Sequence, residues 1–144
     1  MYVFLSNSRP RSVNAKNTEI FKQDIQEAFK EYNFSANQLE GNLYGIVYYF
    51  HRIPTQIDAD NISKPIWDAL NTIAYSDDKN IKLRIAGVFD LNSVPIEEID
   101  TSQMSDSVIV DFLKMTNENA REKHIIYVEI GILNYDLFKF SCEV

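Results

Sequence analysis

Apolar positions along the chain recur with two different periods. Tyr2 to Ser6 predicts a first strand, and Asn7 to Asn17 a polar, basic loop that contains Pro10. Phe21, Ile25, Ala28, Phe29 and Tyr32 then recur at helical spacing, with Thr18 placed as the N-cap. The polar stretch Ser35 to Asn42 leads into Leu43 to His51, which is apolar on both faces, as an interior strand covered on each side should be. Pro54 breaks this run. The next apolar set, Ile62, Ile66, Ala69, Leu70 and Ile73, lines one face of a helix expected from Ile62 to Ala74, with Lys64, Asp68 and Asn71 on the opposite stripe. Proline is tolerated near a helix start, so Pro65 sets the first turn close to Asn61 and leaves Asp58 and Asp60 just ahead of it.

Asp77-Asp78 reads as a turn. Ile81 to Phe89 alternates, with Ile81, Leu83 and Ile85 expected on one face and Lys82, Arg84 and Ala86 on the other. Asp90 to Gln103 is loop-like, and Ser105 or Ser107 caps a helix with Val108, Phe112 and Met115 inward. His124 to Leu133 is a further apolar strand, and Tyr135 to Val144 a weaker final one. Strands alternating with helices predict an α/β (α+β) fold: one domain over residues 1–144, with helices packed against a mixed β-sheet.

The 144 residues are enough for a real core, and 45% apolar content excludes a disordered chain. No apolar run is long enough to span a bilayer, and Met1 to Leu5 is too short for a signal peptide, so no membrane association is expected. The lone Cys142 excludes an internal disulfide and a cysteine zinc site, and its surroundings predict a half-buried strand position. The formal charge of −7 opposes nucleic-acid binding at first sight. Yet residues 90–122 alone carry −6, and the first sixteen residues carry Arg9, Arg11 and Lys16 with no acid. The acidity is regional.

Asp58-Ala59-Asp60-Asn61-Ile62-Ser63-Lys64 and Asp77-Asp78 bracket the second helix, and they are the chemically richest part of the chain. Each pair alone reads most simply as a turn or a helix cap. Two carboxylate pairs on segments that fold close together ask for a counter-charge, and hard oxygen ligands suit Mg²⁺, with Mn²⁺ as a substitute. Lys64 is either a surface ion pair with Asp68, four residues on, or a group that holds a carboxylate in place or stabilises charge developing on a phosphate. The company of Asp58, Asp60 and Asn61 favours the second. Arg9, Arg11, Lys16, Lys79, Lys82 and Arg84 flank the acidic cluster in sequence and are the candidate DNA-backbone contacts. His51 and His124 read as strand-end residues, and Trp67, Tyr44, Tyr48 and Tyr49 as core or interface.

Asp58-Ala59-Asp60-Asn61-Ile62-Ser63-Lys64, Trp67-Asp68-Ala69-Leu70-Asn71 and Asp77-Asp78-Lys79-Asn80-Ile81 closely resemble the core of the RusA-like Holliday-junction resolvases, whose pattern runs Asp-x-Asp-Asn-x-x-Lys, Asp-Ala-Leu, then Asp-Asp ahead of a strand. Pro10-Arg11-Ser12-Val13-Asn14 is similar to that family's N-terminal loop. The resemblance implies a homodimeric, Mg²⁺-dependent endodeoxyribonuclease of the bacterial or phage cytoplasm that resolves four-way branched DNA. It implies that Asp58, Asp60 and Asp78 are the catalytic, metal-holding acids, that Lys64 is an essential catalytic lysine, and that Asn61 and Asp77 are supporting residues. The chain departs from the family in its acidic balance and in an insertion at about residues 90–122, for which a protein-partner surface, a larger dimer interface or a substrate screen are all open roles. Two other readings compete. One is a non-catalytic dimer that binds branched DNA or a replication protein; the other is a nucleotide-sugar transferase using Asp-x-Asp, for which the chain is short.

Overall fold

The computed structural model describes residues 1–12 and 16–140. Four strands, β1 (Tyr2–Ser6), β2 (Leu43–His51), β3 (Ile81–Asp90) and β4 (His124–Ile132), form one mixed sheet in the order β1-β4-β2-β3. β2 runs parallel to β3 and antiparallel to β4, which in turn pairs antiparallel with β1. The two most apolar segments, β2 and β4, take the interior positions. The α+β single-domain architecture expected from the pattern is therefore the observed one.

One sheet face carries α1 (Thr18–Tyr32) and α2 (Ala59–Leu70) over Phe4, Leu43, Val47, Tyr49, Ile126 and Val128. Phe21, Ile25 and Phe29 of α1 and Ile62, Ile66, Trp67 and Leu70 of α2 are buried there. Gln26 donates to the carbonyl of Ala69 at 2.9 Å and ties the two helices together. Gly45 lies beneath α2 because a side chain would not fit: a Cβ there would stand 2.7 Å from Trp67 Cη2. The opposite face is partly covered by α3 (Asp106–Thr116), whose Val108 and Phe112 pack with Val3, Leu5, Phe50 and Ile125. Arg52 anchors this layer through hydrogen bonds to the carbonyls of Met115, Asn117 and Glu122.

Several boundaries differ from the sequence expectation. Asn17, in the left-handed region at φ 67°, is the N-cap of α1; Thr18 is its first helical residue and donates to the Ser12 carbonyl instead. α2 begins at Ala59 and ends at Leu70, so Pro65 lies inside it, Asp58 is its N-cap and Asp60 is helical. The chain leaves the helix at Asn71 because Thr72 turns at φ 67°, after which Tyr75 bridges Leu39 and Asn71. β3 does not keep Ile81, Leu83 and Ile85 on one face. Leu43 pairs with Ile81 but Tyr44 pairs with Leu83, so Lys82 is an extra residue, and a bulge of this kind inverts the alternation. Ile81 is buried under the helices, whereas Ile85 is 37% exposed on the other side. Ser105 is the N-cap residue of α3, without a side-chain capping bond. Tyr135–Leu137 forms a 3₁₀ turn and residues 138–140 join no strand, so the final strand is absent over the described residues. Val13 and Asn14 of the N-terminal loop motif, and Cys142 with the rest of 141–144, lie outside the described residues.

Gly45→Ala tests the seating of α2 directly. The added methyl must displace a fully buried Trp67, and overpacking of this kind costs about 1–3 kcal/mol. A urea titration followed by Trp67 fluorescence, the chain's single tryptophan, should show that loss with an unchanged slope.

Candidate active site

The link between β2 and β3 carries every acidic residue singled out from the sequence. Two parallel neighbours require such a crossover, and here it consists of a seven-residue loop, α2, and the segment 71–80. Within each aspartate pair one member caps and the other projects. Asp58 Oδ1 accepts the Asn61 N–H at 3.1 Å and closes the N-terminus of α2. Asp77 Oδ1 accepts the Lys79 N–H at 2.9 Å, with the Lys79 ammonium 3.7 Å from Oδ2, and caps the 3₁₀ turn Asp78–Asn80. The bland reading is thus realised for Asp58 and Asp77.

Asp78 is held quite differently. Its backbone N–H donates to Asn71 Oδ1 at 2.7 Å. Lys64 Nζ donates to Asp78 Oδ2 at 3.0 Å and to Asp68 Oδ1 at 2.6 Å. Arg84 Nη2 reaches the same Oδ2 at 3.1 Å and the Asp78 carbonyl at 2.7 Å. Lys64 is the expected i, i+4 ion pair with Asp68, and it also holds the Asp78 carboxylate across the crossover. The bulge at Lys82 makes the Arg84 contact possible, because it turns Arg84 to the face of Gly45, under α2. Arg84 was expected on DNA, yet its guanidinium is engaged with Asp78. Asn71 and Asp68 were not singled out as site residues, although their place on the Lys64 stripe was the available signal.

Burial pushes the Asp78 carboxyl up, but hydrogen bonds and attraction from Lys64, and then from Arg84, outweigh it and hold the group below the usual aspartate value. Hydrogen bonds to Asp68 and Asp78 push Lys64 up against a smaller opposing effect of burial. The ammonium is therefore fully charged at neutral pH.

Asp60 is exposed, one turn before Lys64 on the same stripe, and its carboxylate has no hydrogen bond or ion pair with any other described residue. Among the described residues no three His, Cys, Asp or Glu side chains are gathered closely enough to hold a metal ion as they stand. The structure thus brings Lys64 and Asp78 together and leaves Asp58, Asp60 and Asp78 without a ready-made closed site. The donor chemistry still fits a hard divalent ion. Oδ1 of Asp78, Oδ2 of Asp58 and both oxygens of Asp60 are unengaged by the described residues, and two cations on Oδ2 hold the Asp78 carboxylate in place.

The basic N-terminal loop lies close to this crossover. Arg9, Pro10, Arg11 and Ser12 face Pro54, Thr55, Gln56 and Ile57 across a cleft of about 420 Å³, and Ile57 immediately precedes Asp58. Lys16, Lys79 and Lys82 are exposed. At the same end of the sheet His51 and His124 are cross-strand partners, and the Tyr49 hydroxyl lies 2.7 Å from His124 Nδ1. Burial, followed by the positive charge of Arg9, pushes His124 down and keeps it neutral.

No helix among the described residues is long and apolar enough to cross a membrane. A search of curated proteins finds no match. The RusA endodeoxyribonuclease family matches residues 4–97, a span that takes in the end of β1, both helices of the first face and the whole crossover. With a match over more than half its length and the aspartate–lysine crossover in place, this chain belongs to the RusA endodeoxyribonuclease family.

Proposed function

We propose that this chain is a divalent-metal-dependent endonuclease that resolves four-way branched DNA as a homodimer, in the cytoplasm of its host. The observation that carries the reading is the clamp on Asp78: a carboxylate whose Oδ2 is held by Lys64 and Arg84 while Oδ1 has no partner among the described residues, on the same crossover as Asp58 and Asp60. Asp58, Asp60 and Asp78 would hold Mg²⁺, or Mn²⁺ in its place. Bound there, such an ion would supply Lewis acidity toward the phosphate and toward an attacking water.

The protein's own groups do the rest. Lys64 is charged throughout the physiological range, so it acts as an electrostatic partner of the phosphate and not as a proton acceptor. Asp68 keeps its ammonium on the polar stripe of α2, within reach of both Asp78 and an incoming phosphate. Asn61 and Asp77 support the site through the backbone, Asn61 as the donor to Asp58 and Asp77 as the cap ahead of Asp78. Arg9 and Arg11 border the cleft beside Ile57 and suit the flanking phosphates, with Lys16, Lys79 and Lys82 as further contacts. A two-fold dimer would offer two such sites to the two symmetric strands of a junction.

A non-catalytic DNA-binding dimer is the second reading. It is favoured by the capping roles of Asp58 and Asp77 and by the lack of a closed acidic cluster among the described residues. Cutting of a synthetic four-way junction in Mg²⁺ separates the two. Wild type should nick it in pairs, and Asp60→Asn and Asp78→Asn should each lose on the order of 10²-fold or more in rate while retaining junction affinity in EDTA. Equal cutting by all three proteins would remove the site assignment; binding without cutting in either metal would establish the second reading.

Lys64→Met should abolish most of the cutting and also raise the Asp78 carboxyl toward its ordinary value, which carboxyl-carbon NMR can follow. Because the native value of Asp78 is depressed, the clamp's contribution to stability is complete above the unfolded value of 3.8 and is lost as the pH falls through the native one. For groups this accessible it is at most about 1 kcal/mol. The urea midpoints of wild type and Asp78→Asn should therefore differ at pH 7 and converge in acid.

A further inference from the structure

The sheet face away from α1 and α2 holds a second concavity that the nuclease reading does not use. Tyr48 and Phe50 of β2, Phe89 of β3, and Val94 and Ile99 of the following segment enclose about 350 Å³. Its only polar side-chain atom is the Tyr48 hydroxyl, so no convergent polar groups are present to orient a small polar ligand. Phe89 packs against both Phe50 and Tyr48, which gives the floor fixed aromatic walls. The segment that closes the pocket is strongly anionic. Glu98 and Asp100 flank Ile99 directly, Glu97 is adjacent, and all three are exposed and form no ion pair with any described residue. Glu129, whose carboxylate accepts from Tyr44 and Tyr127 at 2.6 Å, adds negative charge on the Tyr48 side.

We propose that this pocket receives an apolar anchor, an aromatic or long aliphatic side chain, from a protein segment in which Lys or Arg residues flank that anchor. Charge selects among the possible occupants. DNA is repelled by the rim. A second copy docked here across a two-fold axis would set Glu97, Glu98 and Asp100 against the same three acids, which opposes self-association at this spot. A cationic segment instead matches the rim while its anchor leaves water, the usual division between polar rim and apolar centre of an interface. The inference does not depend on the metal or on cutting, because the pocket lies on the opposite face of the sheet from the Lys64–Asp78 clamp.

The test uses the ¹⁵N-labelled full chain and a set of heptapeptides, each with three lysines on either side of a central Phe, Trp, Leu or Ala. The Phe, Trp or Leu peptides should bind about tenfold or more tightly than the Ala peptide and should shift the amides of Phe89, Val94 and Ile99. Glu97→Lys/Glu98→Lys, an exposed double change that leaves the pocket walls intact, should weaken them by a similar factor, and the contact should weaken with salt. Equal binding of the Ala peptide would mean a charge contact only and would overturn the proposal. So would binding by none of the set, displacement of the peptide by junction DNA at the same amides, or concentration-dependent shifts there without peptide, which would assign the pocket to a second copy.

Discussion

Two neighbouring strands that run the same way cannot be joined by a tight turn, and that constraint organises this molecule. β2 and β3 are parallel, so the chain between them must cross over the sheet, and α2 is the crossover. Its seat is set by the absence of a side chain at Gly45, which lets the Trp67 ring approach the strand, and by the Tyr75 hydroxyl, which donates to the Trp67 carbonyl at 2.7 Å. With the apolar stripe of α2 committed to the sheet, its polar stripe can only face outward. Lys64 and Asp68 lie on that stripe, with Asp60 one turn earlier, and the return segment brings Asp78 against it. The charged cluster thus follows from burying Ile62, Ile66, Trp67 and Leu70.

The two aspartate pairs show how one local grammar serves structure and chemistry together. A crossover helix needs an N-cap, and a turn into a strand needs its first N–H satisfied; Asp58 and Asp77 fill these needs. Capping leaves Asp58 with an unshared carboxylate oxygen, while the second oxygen of Asp77 lies 3.7 Å from the Lys79 ammonium. Asp78 has no capping duty, and its Oδ2 takes two cations instead. Such a carboxylate stays ionised and fixed in orientation, whereas an acid without partners would be free to turn. The lysine gains as well, since contact with two acids keeps it protonated. These groups condition one another, and none of them is set by its own local sequence alone.

Much of this was legible along the chain. The period of apolar residues gave α1, α3 and the four strands to within a residue or two, and the spacing of Asp58, Asp60, Lys64 and Asp78 marked the site. What could not be read has identifiable causes. Ile81, Leu83 and Ile85 alternate faultlessly in sequence, but the extra residue at Lys82 appears only when β3 is laid beside β2. The start of α2 was displaced because a proline was expected in the first turn, whereas Pro65 is accepted in the interior of this helix. Asn17 adopts left-handed backbone that its residue type permits without demanding, and Thr72 does so although a β-branched residue disfavours it, so neither is signalled by pattern. The pairing of Arg84 with Asp78 depends on the bulge, and so it was out of reach of any pattern within one segment.

The acidic balance of the chain is best understood through the sheet's two faces. The α1–α2 layer carries the cationic N-terminal loop and the Lys64–Arg84 clamp, while the acid-rich stretch 90–122, with α3, belongs to the other layer. The two layers are separated by the sheet and by a packing distance on each side, on the order of 20 Å. The screening length at physiological salt is about 8 Å, so exposed acids of the far layer contribute little to the potential above the near one. Net charge therefore misleads here: a polyanion approaching Arg9 and Arg11 meets a local field set by those residues and by the nearby aspartates of the crossover, whose charge a bound divalent ion would offset. One meeting the far side encounters Glu97, Glu98 and Asp100 and is turned away. Under the two proposals made above, a single sheet would present nucleic acid and protein with opposite surfaces, and the anionic layer would favour the orientation in which DNA reaches the aspartates.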